Sequence, residues 1–159
     1  MSRVLGVDPG TRRTGWGVVE RAGGKLRAVA AGIVKLDASA PLADRLEIVY
    51  DALDAVIEEH HPRAVAVEDI FYAKYPNAAI QLGHVRGVVL LLVARRGLAL
   101  GEYPPALVKR TVAGRGAADK RQLGRVVAAM LSLETELGAD ATDALAVAIT
   151  HLAATPPRR

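Results

Sequence analysis

Residues Arg3 to Glu20 read RVLGVDPGTRRTGWGVVE. An apolar run stops abruptly at Asp8, Pro9 and Gly10 turn the chain, Arg12 and Arg13 follow, and a second apolar run begins at Gly15. Two such runs around a Pro-Gly turn predict a β-hairpin with a carboxylate at the end of its first strand. Asp8 has two readings at this point. Asp favours the first position of a turn and Pro the second, so Asp8 can serve the turn alone. It can also be a functional acid, provided that other carboxylates converge on the same strand end.

Outward from the hairpin, Gly23-Gly24 makes a second turn into a third strand over Leu26–Leu36, with Asp37 just past its end. Pro41 suits the first turn of a helix. Leu42, Leu46, Val49, Leu53, Val56 and Ile57 then recur in steps of three and four, an amphipathic helix that should lie on the sheet with its acidic face to solvent. His60-His61-Pro62 ends it, and histidines there suit solvent or the negative end of the helix dipole. Ala64–Val67 is a short apolar run closed by Glu68; lying between helices, it predicts a parallel strand. Asn77–Arg96 is a helix apolar nearly all round, which belongs in a core or an oligomer interface. A strand over Leu98–Tyr103, a short helix from Pro104-Pro105 through Val112, a helix from Asp119 to about Leu131 and an alanine-rich helix after Asp140-Ala-Thr-Asp143 complete the chain. The expected fold is α/β: a mixed five-stranded sheet, three antiparallel strands followed by two parallel ones, with helices on both faces. One domain over 1–153 and a frayed tail over 154–159 are expected.

Composition narrows the chemistry. The 159 residues contain no cysteine, which excludes disulfides and thiolate metal sites and suits a reducing, cytoplasmic setting. The most apolar stretch, Gly87–Ala94, is far shorter than the ~20 residues of a membrane helix, so no membrane partner is expected. Net charge is only +4, yet Lys109, Arg110, Arg115, Lys120, Arg121 and Arg125 stand against Asp119 alone. Leu42–His60 is the reverse, with Asp44, Glu47, Asp51, Asp54, Glu58 and Glu59 against Arg45. Such asymmetry gives the molecule a side for polyanions, unless both stretches are merely solvated faces.

Glu68 repeats the pattern of Asp8, a carboxylate at the end of an apolar strand. Buried within a sheet it would cost several kcal/mol, roughly 2–7 for a polar group and more for a charge. At the carboxyl end of a strand, where α/β sheets bind ligands, it has a use. Asp140 and Asp143 are three apart and project from one side of a helix start. They can cap amides and complement the dipole, though one Asp would suffice for that. No Ser-His-Asp set and no Gly-rich phosphate loop before a helix is present. Four converging carboxylates need a counter-charge, and all-oxygen ligation suits Mg²⁺ or Mn²⁺. Two such ions can clamp a phosphodiester. Metal-binding acids beside a basic surface describe a nuclease.

The motifs GVDPGTRRTGWGV, AVEDIF, LGHVRGV and DATDALAVAITH together resemble the RuvC family of Holliday-junction resolvases, in order and spacing, from about Arg3 to Leu152. The resemblance implies an RNase H-like fold, a homodimer, and metal-dependent cutting of four-way junction DNA by paired nicking, with two Mg²⁺ per site (Mn²⁺ possible). It also implies delivery by a RuvA-RuvB branch-migration complex. The family's catalytic acids match Asp8, Glu68, Asp140 and Asp143; some relatives carry His at the position of Asp140. The family's junction-wedging aromatic matches Phe71, and its basic DNA contacts match Lys109 and Lys120. Arg12, Arg13, Lys74, Arg115 and Arg121 are further phosphate contacts by charge and place. The helix Asn77–Arg96 corresponds to the family's dimer contacts. Tyr75, Ala78 and His84 depart from the usual Asn, Ser or Thr, and Gln, which bears on junction contacts and cut-site preference. A YqgF-type nuclease acting on RNA precursors also opens with an Asp-Pro-Gly turn, but leaves the AVEDIF stretch and the late basic segment unexplained. A non-catalytic junction-binding protein of the same fold would show a missing acid, and all four are present.

Overall fold

The computed structural model describes residues 2–69, 75–114 and 118–155. In chain order the elements are β1 (Ser2–Asp8), β2 (Arg13–Ala22), β3 (Lys25–Lys35), α1 (Leu42–His60), β4 (Ala64–Glu68), α2 (Pro76–Arg96), β5 (Ala99–Tyr103), α3 (Pro105–Ala113), α4 (Lys120–Leu131) and α5 (Ala139–Ala154). The sheet runs β3-β2-β1-β4-β5. Its first three strands pair antiparallel, while β4 joins β1 and β5 joins β4 in parallel. The mixed five-stranded sheet expected from the sequence is therefore the one observed. α5 takes in Ala154, so the expected tail starts at least one residue later; residues 156–159 lie outside the described residues.

Strand alternation divides the core between the two faces. Val4, Val19, Ala64 and Ala66 point to one face and pack with α3, α4 and α5. Leu5, Val7, Val18, Val65 and Val67 point to the other and pack with α1 and α2. Each fully buried Val or Leu contributes roughly 1.5–3 kcal/mol relative to exposure. α5 is buried from Ala144 through Leu152, which makes it the core of its layer. Two glycines let it press onto the strands: a β-carbon on Gly6 would stand 1.9 Å from the Ala144 carbonyl oxygen, and one on Gly15 would stand 2.1 Å from that of Asp140.

The acidic helix α1 is not simply solvated on its polar side. Arg96 at the end of α2 bonds Asp54 at 2.5 Å and Glu58 at 2.8 Å, tying the two helices together. Arg45, which interrupts the apolar stripe, turns inward and is buried. α2 is long and apolar enough to cross a membrane by length and composition, which the shorter stretch Gly87–Ala94 did not suggest. Here it seats Val85, Val89, Leu92 and Val93 on the sheet and leaves Ile80 and Leu91 more than half exposed. No residue of α2 before Val85 is buried, so its first turns stand clear of the core.

Candidate active site

β1 and β4 are neighbours in parallel register, Val7 opposite Val67, so Asp8 and Glu68 leave the sheet side by side. By alternation with Gly6 and Ala66 both carboxylates face the α5 layer. α5 starts beside them because Gly15, the ladder partner of Asp8, has no side chain to keep Asp140 away. The four acids named from the sequence thus converge: Asp8, Glu68, Asp140 and Asp143 line one cavity of about 290 Å³, with Lys109, Lys120, Pro105, Val108 and Leu123 completing its wall.

The capping alternative for the α5 acids does not describe this site. Gly138 occupies the N-cap, and no side chain caps the helix. Asp140 lies in the first turn and Asp143 one turn on, both aimed at the cavity.

The electrostatics follow from crowding like charges in a partly buried place. The Asp8 carboxyl is pushed up to about 8, chiefly by burial, then by Glu68, Asp143 and Asp140, with Lys120 opposing. Burial also raises Glu68, helped by Asp143 and opposed by Lys109 and Lys120. Asp143 is raised by burial, while Lys120, whose Nζ is 4.0 Å from its Oδ2, pulls it back. Two lysines therefore offset part of the repulsion among four acids. Among the described residues no three acid or histidine side chains are drawn into a finished metal cage. An all-oxygen donor set short of positive charge fits a hard divalent cation.

The turn after Asp8 is braced from behind. The Gly10 N–H donates to Thr14 Oγ1 at 3.3 Å, Thr14 Oγ1 donates to the Gly10 carbonyl at 3.1 Å, and Arg45 Nη1 donates to the Thr11 carbonyl at 3.2 Å. Arg12 and Arg13 are exposed just beyond this turn, and Arg121 is exposed at the start of α4; none of the three lines the cavity. Phe71, Lys74 and Arg115 lie outside the described residues.

Several contributors carry no signal in sequence order. Tyr103, opposite Glu68 in the β4–β5 ladder, turns its hydroxyl to His151 Nδ1 at 2.9 Å. Arg86 of α2 pairs with Asp69, which follows Glu68, and with Glu102. Such pairs join segments far apart in the chain. The glycine opposite Asp8 was the one legible hint, since a Gly inside a strand marks close backbone approach.

Comparison with known proteins places this geometry. The family model described as crossover junction endodeoxyribonuclease RuvC matches residues 4–151. A protein of that name from Sorangium cellulosum is 52% identical over 96% of this chain and 85% of its own length. T. thermophilus RuvC, solved in complex with a Holliday junction substrate, superposes with a TM-score of 0.90 at 32% identity, covering 95% of this chain and 93% of that one. The yeast mitochondrial resolvase Ydc2 shares the fold at 13% identity, with a TM-score of 0.69, over 94% of this chain and 77% of its own.

Proposed function

The chain belongs to the RuvC family of crossover junction endodeoxyribonucleases, and we propose from that footing that it resolves Holliday junctions by nicking two opposed strands. The observation that carries this reading is the cavity in which three separate segments bring four carboxylates together beside two lysines. The substrate is four-way junction DNA, the setting recombination and repair, and the compartment the cytoplasm.

Asp8, Glu68, Asp140 and Asp143 would hold two divalent ions, Mg²⁺ or Mn²⁺. When bound, such ions supply an activated water and neutralise charge on the leaving oxygen. The residues themselves do the rest. The acids fix the cleft's negative floor at the ends of β1 and β4, and the buried helix α5 holds Asp140 and Asp143 in place. Lys109 and Lys120, on the cavity wall, engage the backbone phosphates on either side of the scissile one, which sets register without reading bases. Arg12, Arg13 and Arg121 extend that positive rim, and Lys74 and Arg115 are assigned phosphate contacts by their charge alone. Water attacks in line at phosphorus, the P–O3′ bond breaks, and the departing oxygen takes a proton. The products are a 5′-phosphate and a 3′-hydroxyl, which a ligase can seal.

Phe71, on the chain immediately after the β4 end, is assigned the role of stacking on a base at the crossover. A two-fold dimer through α2, whose Ile80 and Leu91 are exposed, presents two equal sites to a two-fold-symmetric junction. Branch-migration proteins of the RuvA-RuvB kind would load it. The deciding experiment is Asp8→Asn with a synthetic four-way junction: the variant should bind the junction and leave it uncut. Cleavage at the wild-type rate with metal present would sink the proposal.

A further inference from the structure

Arg86 stands where α2 meets the sheet. It directly follows Val85, the first buried residue of that helix, and its side chain is only 17% exposed. Its Nη2 lies 3.3 Å from Asp69 Oδ1 and is also paired with Glu102. The Nε is buried and has no hydrogen-bond partner among the described residues. Asp69 and Glu102 both belong to the α2 side of the sheet: Asp69 by alternation after Glu68, Glu102 as the register partner of Val67.

The location matters more than the ion pairs. Asp69 is the residue after Glu68, and its N–H donates to the Tyr103 carbonyl at 2.8 Å, one step past the end of β4. That bond and the Arg86 pair hold the strand end from the rear while Glu68 faces the cavity in front. Arg86 thus places one positive charge between the Asp69 and Glu102 carboxylates, joining the ends of β4 and β5 beside the point that aims Glu68. Both contacts are made through Nη2, the outer end of a planar group always charged, whereas a lysine would bring only a point charge to the same place. The same side chain fastens the point from which the exposed first turns of α2 depart.

We propose that Arg86 is a positioning residue for Glu68, acting from the opposite face of the sheet through Asp69 and Glu102. This inference rests on the reading of Glu68 as a metal ligand in a junction-cutting site. Partners behind metal ligands typically change metal affinity or activity by about 10–100-fold when removed.

The test compares wild type, Arg86→Met and Arg86→Lys in four measurements. These are Mn²⁺ binding without DNA by electron paramagnetic resonance, junction affinity in Ca²⁺, the single-turnover cutting rate in Mg²⁺, and thermal melting. R86M should bind Mn²⁺ about tenfold more weakly and cut at least tenfold more slowly, with junction affinity within about twofold of wild type. R86K should recover part of both losses; if R86M does not fold, R86K carries the test with a smaller loss in the same direction. A lower melting temperature with unchanged Mn²⁺ affinity and cutting rate makes Arg86 a structural residue only and overturns the inference. Wild-type protein that neither binds Mn²⁺ nor cuts the junction overturns the function and the inference together. Wild type that does both while R86M and R86K match it overturns Arg86 alone.

Discussion

Gly15 and Asp140 meet backbone to backbone, with 2.1 Å between the Asp140 carbonyl oxygen and the place a β-carbon on Gly15 would occupy. Because Gly15 is also the ladder partner of Asp8, a missing methyl group sets the separation of two acids that come from opposite ends of the chain. Gly15→Ala forces the start of α5 away from β2. The expected cost is about 1–3 kcal/mol of stability, as for other overpacked contacts, and most of the cutting activity. Urea denaturation and a junction cleavage assay measure the two losses; an alanine variant with full activity would show that the acids tolerate the shift.

Asp8 makes the metal-free protein pH-sensitive in a definite direction. Its carboxyl is raised to about 8 from 3.8, so the folded state holds a proton that the unfolded chain has already released. The resulting stability is fully present below the unfolded value and is lost as pH rises through 8. Unfolding free energy in chelator should therefore fall between about pH 4 and pH 8, by on the order of a few kcal/mol at full titration, and the melting temperature should fall with it. Asp8→Asn should flatten that slope and leave the protein more stable at neutral pH. Metal affinity should rise across the same range, since the ion competes with the proton.

Lys109 and Lys120 line the cavity beside the acids, and the proposed function gives each a second task that substitution separates. As phosphate contacts, each changed to alanine should lower the slope of log affinity against log salt by about 1, across junctions of any sequence. As neighbours of the acids, each restrains the rise at Glu68 and Asp143. K120A should therefore also shift the pH at which metal binds upward. Fluorescence anisotropy over a salt series and metal titration over a pH series read these effects separately.

Ile80, 59% exposed on the first turns of α2, should matter only between subunits. Ile80→Glu is expected to leave the melting temperature of the subunit within about 0.5 kcal/mol equivalent of wild type, as for a surface change. If the proposed dimer forms through α2, sedimentation should show the variant as a monomer beside a dimeric wild type, and nicks on a junction should lose their pairing. A dimeric I80E protein would move the interface away from α2.

The Tyr103 hydroxyl and His151 Nδ1 form a part-buried pair that ties β5 to the far half of α5. Tyr103→Phe leaves an imidazole nitrogen without its partner, at an expected cost of about 1–3 kcal/mol. Burial lowers the His151 pKa, so its contribution is present above the ordinary histidine range and lost as pH falls through it, opposite in sign to Asp8. Denaturation of the Phe variant at pH 7.5 and pH 5.5 checks both statements.

The order of elements was legible because each boundary has a local cause. The Pro-Gly and Gly-Gly turns mark the hairpins, Pro41 and Asp119 mark helix starts, and period-two and period-three-to-four apolar patterns fill the intervals. The four acids were legible by position, two at strand ends and two on a helix turn. What was hidden depends on which distant segments touch. Asp54 and Glu58 look solvated until Arg96 reaches them, and Arg86, Glu102, Tyr103 and His151 look like ordinary surface or core residues. The capping role that Asp140 and Asp143 could have played by their place in sequence is played by no side chain, since Gly138 holds the N-cap position.

α5 is buried along most of its length, and its first turns carry Asp140 and Asp143. The helix cannot slide or roll to absorb a change anywhere along its packed face without moving its acids. Ala148 and Ile149 are chemically inert and lie turns away from the cavity, yet they belong to the same rigid lever. Enlarging either should register in the cutting rate before it registers as unfolding. For this protein, distance from the carboxylates is a poor guide to which inherited or engineered changes silence it; membership of α5 is a better one.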